Sequence, residues 1–202
     1  MMLSLVTVLT AFLLGAIPTA YLVGRLTAGI DVRSAGSGNP GALNAYRQLG
    51  KRAGIFVLLV DAGKGALAIV LGQRLGVPDI TLYVAAFVAT IGHNFSPALR
   101  FRGGKGAAVV LGVSAVMLWQ ITAITVGIGA VIFGVTRHAL WSMTIVLIAL
   151  NALTIGTGQV LGQIILCLVL SAVVAGTHLL RQYPQLLPAL RDRRWRRVMS
   201  IE

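Results

Sequence analysis

Apolar runs of about 18 residues or more recur from one end of the chain to the other, each closed by a short polar stop. A chain built this way is a polytopic membrane protein made of transmembrane helices. Charge content agrees, since only 11% of the residues are charged, against about 25% in a soluble domain. Mean hydropathy is +0.89. No polar linker divides the runs, so residues 1–180 read as one membrane domain and 181–202 as a basic tail. The N-terminal run lacks the basic flank and small-residue cleavage site of a secretory leader before Tyr21, and reads as a retained first span. Cys167 stands alone inside an apolar run and reads as buried.

The polar stops place spans at 3–23, 53–73, 79–98, 106–118, 119–135, 139–155 and 159–178. Residues 106–135 as a single helix would be about 45 Å long, too long for a hydrocarbon core of about 30 Å. Trp119-Gln120 suits an interface where the chain turns back. Seven spans then put Arg25, Asp31, Arg33, Arg47, Lys51, Arg52, Arg100, Arg102, Lys105, Arg137 and the Arg181–Arg197 segment on one side, and only Arg74 and Asp79 on the other. Positive charge marks the cytoplasmic side. The expected fold is therefore all-α with seven transmembrane helices, N-terminus outside and C-terminus cytoplasmic. The two long loops, 24–52 and 99–105, share the inner face.

The first loop carries Gly36-Ser37-Gly38-Asn39-Pro40-Gly41, which matches the G-x-G-x-x-G pattern of dinucleotide-binding loops. That fingerprint needs a preceding strand. A membrane span precedes it here, and Pro40 has no N–H to offer a phosphate. The simpler physics survives. Gly36, Gly38 and Gly41 permit positive φ and close approach of a ligand to the main chain, and consecutive N–H groups can form an anion nest. Ser37 and Asn39 add side-chain donors. Arg47 falls six residues after Gly41, within reach of the same anion if a helix begins near Gly41. A plain flexible connector is the competing reading. The second loop ends in Gly103-Gly104-Lys105-Gly106 before an apolar helix. A helix N-terminus offers free N–H groups and partial positive charge, and Lys105 adds a full charge. Arg100 and Arg102 read as topological anchors.

Asp61 and Lys64 share a face within the second span, three residues apart. They read either as a structural ion pair or as a brace behind the loops. His93 ends the third span beside the second loop, and His178 ends the seventh. No spacing of His, Cys, Asp and Glu suggests a metal site, and no cofactor is expected. The net charge of +12 fits topology, anionic lipid and an anionic substrate. A nucleic-acid partner is disfavoured, because no aromatic stacking platform or fold signature accompanies the charge. The residues together outline a cytoplasm-facing site rich in anion-binding groups and poor in general bases. A substrate with phosphate at one end and a lipid tail at the other suits it.

These motifs resemble those of the bacterial acyl-phosphate:glycerol-3-phosphate acyltransferases. Gly36 through Asn44, with Arg47, is similar to the family pattern GSGNxGxTN followed by Arg. The segment from His93 to Gly106 is similar to GHxFxxFxxFKGGKG, Asp61-x-x-Lys64-Gly65 to D-x-x-K-G, and Gly15 through Pro18 to GSIP. The resemblance covers about residues 10–115 closely and the rest by span pattern. It implies transfer of a fatty acyl group from acyl phosphate to the 1-hydroxyl of glycerol 3-phosphate, giving lysophosphatidic acid and phosphate, in the bacterial inner membrane. By position match it implies that Ser37, Arg47 and Lys105 hold phosphate, and that Asn39, Asn44 and His93 line the pocket. Gly36, Gly38, Gly103 and Gly104 would supply main-chain contacts. His178 matches the first residue of the family's third motif, and with Ser37 and Lys105 it is the expected catalytic set.

Two departures are visible. Leu43 replaces the Thr of the first motif. The third motif, H-x-x-N-I-x-R-L-x-x-G-x-E, breaks after His178: Arg181 stands at its Asn position and no Glu follows until Glu202. Arg181 offers a compensating charge toward the acceptor. Three functional readings follow. One is the acyltransferase, expected as a monomer. Another is a divergent homologue that acts on a different phospho-acceptor or only binds lipid phosphate. The last is an anion transporter, for which no internal repeat is apparent. Five Arg and one Trp between Arg191 and Arg197 favour anionic lipid headgroups as a further partner.

Overall fold

The structure, a computed structural model, describes residues 1–191, with side chains described through residue 183. It is all-helical. Among the described residues the α-helices are α1 (Met2–Ala16), α2 (Thr19–Ala28), α3 (Ala42–Leu49), α4 (Lys51–Arg74), α5 (Asp79–Asn94), α6 (Ala107–Met117), α7 (Trp119–Thr136), α8 (Ala139–Gly156) and α9 (Leu161–Arg191). Six helical segments are long and apolar enough to cross a bilayer, while α6 is apolar but short. Large apolar side chains such as Leu13, Leu59, Val131 and Ile148 are exposed on the outside, the surface that lipid requires. The Arg-rich cluster beyond Arg191 lies outside the described residues.

The first span differs from expectation. Instead of one helix over 3–23, α1 stops at Ala16 and α2 restarts at Thr19. Pro18 has no N–H and cannot continue the hydrogen-bond ladder. The carbonyls freed at the break find side-chain partners. Ser96 Oγ donates to the Ala16 carbonyl at 2.5 Å and Lys64 Nζ to that of Ile17 at 2.6 Å. An unpaired carbonyl in hydrocarbon costs several kcal/mol, so these two bonds make the break tolerable. They also tie it to α4 and to the second loop.

The chain breaks again at Leu118, whose φ of −142° and ψ of 49° end α6 and begin α7. Residues 106–135 are thus two helices, divided where Trp119 stands.

Small residues set the helix spacing. A Cβ on Gly65 of α4 would overlap the Val109 carbonyl of α6, and one on Gly112 would overlap the Ala62 carbonyl. Without a hydrophobic driving force between helices in lipid, such close backbone approach is how membrane helices gain dispersion energy. Ala11, Ala68, Ala85, Ala89 and Val109 form a core of this kind between α1, α4, α5 and α6. Larger side chains, among them Ile69, Val113, Leu147 and Leu170, join α4, α6, α8 and α9.

Candidate active site

The first loop hangs from α3. Gly41 caps α3 at its N-terminus, as expected, but its φ is −129°, an extended value open to any residue. The left-handed positions are Gly36 at 59° and Gly38 at 70°. Asn44, on the first turn of α3, is 1% exposed and holds the loop from beneath. Its Nδ2 donates to the Val32 and Ala35 carbonyls at 2.8 and 3.0 Å, and its Oδ1 accepts from the Ser37 N–H at 3.2 Å. Asn44 was expected to line the pocket, and the structure places it beneath the loop, off the cavity wall. Its amide is committed to the loop backbone, and its role is to shape the turn that presents Ser37.

The second loop folds back on the end of α5. Gly103 N–H donates to the Asn94 carbonyl and Gly104 N–H to that of His93, each at 3.1 Å. A Cβ on Gly103 would overlap the His93 carbonyl, and one on Gly104 would overlap the imidazole. Only glycine permits this packing. His93 is therefore buried behind the loop, with Nδ1 3.9 Å from Asp61 Oδ1, and is not a lining residue of the pocket.

Asp61 and Lys64 complete that buried layer. Lys64 Nζ donates to Asp61 Oδ1 at 2.7 Å and also to Thr19 Oγ1, while Thr19 Oγ1 donates to Asp61 Oδ1 at 2.8 Å. Lys64 reaches the Ile17 carbonyl as well. The pair is structural and braces the site at once, because it joins α4, the Pro18 break and the His93 layer.

The two loops meet around one open cavity of about 840 Å³. Ser37, Gly38 and Asn39 line it from the first loop, Gly103 and Lys105 from the second, and Arg181 from α9. Gly36, Asn44, Arg47, His93, Gly104 and His178 do not line it. Arg47 is exposed on α3, about 8 Å along the axis from the helix start at 1.5 Å per residue. His178 is half-buried on α9, within electrostatic range of Lys105. Arg181 is partly engaged by protein: its Nη2 donates to the Asn94 and Phe101 carbonyls at 3.0 and 3.1 Å, pinning α9 to the second loop.

Several lining residues had been read as topology alone. Arg100 and Arg102 stand at the cavity as well as Arg33. Arg33 is a latch between the loops. Its Nε and Nη2 form a two-point contact with Asp31 at 3.0 and 2.7 Å, and its Nη1 donates to the Leu99 carbonyl at 3.2 Å. The Tyr21 ring lies under both Arg33 and Arg25, at 5.0 and 5.5 Å. The side-chain bonds from Arg33 hold the Asp31 carboxyl below its ordinary range, against the opposing effect of burial, and the same contact raises Arg33. The sequence signal was Asp31-x-Arg33 directly before the glycine loop.

Five cations, Arg33, Arg100, Arg102, Lys105 and Arg181, surround the cavity, and the lining carboxylate, Asp31, is already bound to Arg33. The electrostatics suit phosphate.

Fold and site together define a multi-pass, all-helical membrane protein with a cation-lined cavity between two glycine-rich loops. The family model described as "Glycerol-3-phosphate acyltransferase" matches residues 5–182, and the chain belongs to that family. Similar proteins include glycerol-3-phosphate acyltransferase of Synechococcus sp. (strain JA-2-3B'a(2-13)), 48% identical over 63% of this chain and 64% of that protein. Another is glycerol-3-phosphate acyltransferase 2 of Moorella thermoacetica, 49% identical over 56% of this chain and 58% of that protein. The matches thus span less than two thirds of either relative. The fold is similar over nearly its whole length to crystal structures of PlsY (YgiH), an integral membrane glycerol 3-phosphate acyltransferase. The glycerol 3-phosphate form superposes with a TM-score of 0.82 at 26% identity, covering 94% of this chain and 93% of that one. The lysophosphatidic acid form gives 0.79 at 25%.

Proposed function

We propose that this protein transfers a fatty acyl group from acyl phosphate to the 1-hydroxyl of glycerol 3-phosphate, releasing lysophosphatidic acid and phosphate. The observation that carries this is the convergence of Ser37 and Lys105 on one cation-lined cavity, in a chain of this family. The similar PlsY structures, in glycerol 3-phosphate and lysophosphatidic acid forms, support the acceptor and the product.

In the reaction the acceptor's hydroxyl oxygen bonds to the acyl carbon, the bond from that carbon to the phosphate oxygen breaks, and the hydroxyl proton ends on the departing phosphate. Phosphate is a good leaving group and can take its own proton, so the protein's task is orientation and charge neutralisation. The lining supports this division of labour. It is rich in cations, its carboxylate is held by Arg33, and both His93 and His178 lie off its surface. Ser37 and Lys105 are assigned direct contact with substrate. His178 lies within electrostatic range of Lys105 and is assigned to position it.

The topology is read as seven crossings, with the N-terminus outside and the cavity facing the cytoplasm of the bacterial inner membrane. At 1.5 Å per residue, α6 is about 16 Å long, short of a core of about 30 Å. The second loop, which leads into α6, is therefore read as recessed toward the acyl region, where a lipid-tailed donor partitions. We read the protein as a monomer whose Arg-rich tail meets anionic headgroups.

The test is phosphate release by the purified full chain given acyl phosphate and glycerol 3-phosphate. Release is expected only with both substrates present. Lys105→Ala and Ser37→Ala should each lower it by about 100-fold or more, as expected for groups that neutralise transition-state charge. Release without acceptor, or full activity in both variants, would refute the assignment.

A further inference from the structure

We infer that Gln182 recognises a hydroxyl of the acceptor that does not react, making the site selective for a polyol phosphate over a simple hydroxyalkyl phosphate. This deepens the acyltransferase reading and rests on it.

Gln182 is 5% exposed and lines the cavity. Among the described residues its side-chain amide is engaged in no protein hydrogen bond and borders the cavity. An amide at the wall of a cavity that no protein group engages is open to a ligand. The first loop contributes another amide to the same cavity. Asn39 also lines the cavity, and its Oδ1 is buried without a donor.

The chemistry of the remaining wall says what such a group is for. Arg33, Arg100, Arg102, Lys105 and Arg181 only donate hydrogen bonds. They satisfy phosphate oxygens and can donate to a hydroxyl oxygen, but they cannot accept a hydroxyl proton. The Asp31 oxygens are taken by Arg33, and the Ser34 hydroxyl donates to the Asp31 carbonyl. An acceptor with phosphate at one end and a reacting hydroxyl at the other leaves, in a glycerol phosphate, one further hydroxyl between them. Its proton needs an acceptor, and among the lining side chains only the hydroxyls of Tyr21, Ser34 and Ser37 and the amides of Asn39 and Gln182 are neutral groups that can accept. Gln182 Oε1 supplies one, and its Nε2 can donate to the same hydroxyl oxygen.

Gln182 is also held in place for the task. The preceding residue, Arg181, is bonded to the carbonyl of Asn94 at the end of α5 and to that of Phe101 in the second loop. That contact fixes this turn of α9 over the cavity before substrate arrives, which lowers the ordering cost of recognition.

The experiment compares glycerol 3-phosphate with 3-hydroxypropyl phosphate, which lacks only the middle hydroxyl, as acceptors for the purified full chain with acyl phosphate. The quantity read is the ratio of their kcat/KM values. The unaltered protein should prefer glycerol 3-phosphate by about tenfold or more. Gln182→Met keeps the length and volume of the side chain, and should bring the ratio close to one through a raised KM for glycerol 3-phosphate. Gln182→Glu keeps an acceptor and should retain the preference. A ratio near one in the unaltered protein overturns the inference alone. So does a Gln182→Met variant that loses activity toward both acceptors equally, which would mark a packing role beside Arg181. Phosphate release with neither acceptor overturns the acyltransferase reading, and this inference with it.

Discussion

Arg33 and Asp31 show how much one residue pair can govern a site assembled from two loops. Arg33 spends three nitrogens on Asp31 and on the Leu99 carbonyl, and so joins the first loop to the second. Asp31→Asn removes the charge that orients the guanidinium and leaves Arg33 free to swing. Glycerol 3-phosphate KM should rise by roughly tenfold, with a smaller change in kcat, because the cavity widens while Ser37 and Lys105 persist. The pH dependence has a definite sign. The folded Asp31 pKa lies below its unfolded value, so the folded state binds fewer protons than the unfolded state between the two values. The stabilisation is complete above the ordinary carboxylate pKa of about 4, and is lost as pH falls through the lower folded value. Thermal denaturation of the unaltered protein and of Asp31→Asn should differ by a constant amount above about pH 5. The gap should close in stronger acid. A gap that widens on acidification would show that the pair does not contribute in this way.

At the level of elements, the second loop depends on two glycines that a side chain would affect unequally. Alanine at 103 meets backbone, the His93 carbonyl and the Asn94 carbonyl, so it must break the hydrogen bonds that fold the loop onto α5. Alanine at 104 meets the His93 imidazole, a side chain that can turn. Gly103→Ala should cost about 1–3 kcal/mol and most of the activity. Gly104→Ala should cost less, and equal melting temperatures for the two would contradict this packing. The Asp61–Lys64 pair is a second element-scale brace, buried at 1% and 5% exposure. Lys64→Met leaves Asp61 as an uncompensated buried charge, and should destabilise by roughly 3–5 kcal/mol in denaturation assays. Much of this layout was legible in the sequence. The helices follow from apolar run length, the caps at Gly41 and Gly106 from glycine placement, and the meeting of the loops from charge asymmetry. What was not legible depends on distance across the fold. Pro18 announces a break, but not that Ser96 and Lys64 would satisfy the exposed carbonyls. Asn44 looks like a ligand in the motif, and only the folded loop shows its amide spent on the backbone. Arg33, Arg100 and Arg102 counted as inside charges because periodicity says nothing about which loop cations converge.

The arrangement of the whole molecule turns on α6, too short by itself to cross a full bilayer and yet essential to the orientation of everything after it. If α6 and α7 together made one crossing, Arg137 would lie on the side opposite Arg100, Arg102 and Lys105. If each crosses, the Arg137 turn returns to the face of the two glycine loops. Energetics favour the second arrangement. The break at Leu118 ends one helix and begins another. A second loop recessed as proposed would shorten the distance α6 must cover, and local thinning of the bilayer accommodates a short helix at modest cost per Å. The positive-inside bias gains Arg137 on the correct side. Single-cysteine labelling decides it. Cys167 is buried and can be replaced by Ala, leaving a background in which one cysteine is introduced at Ser34, Trp119, Thr136 or Thr157. In inside-out membrane vesicles a membrane-impermeant thiol reagent should label positions 34 and 136 and spare 119 and 157. Right-side-out cells should give the reverse. Labelling of 34 and 136 from opposite sides would remove one crossing, and with it the seven-span arrangement.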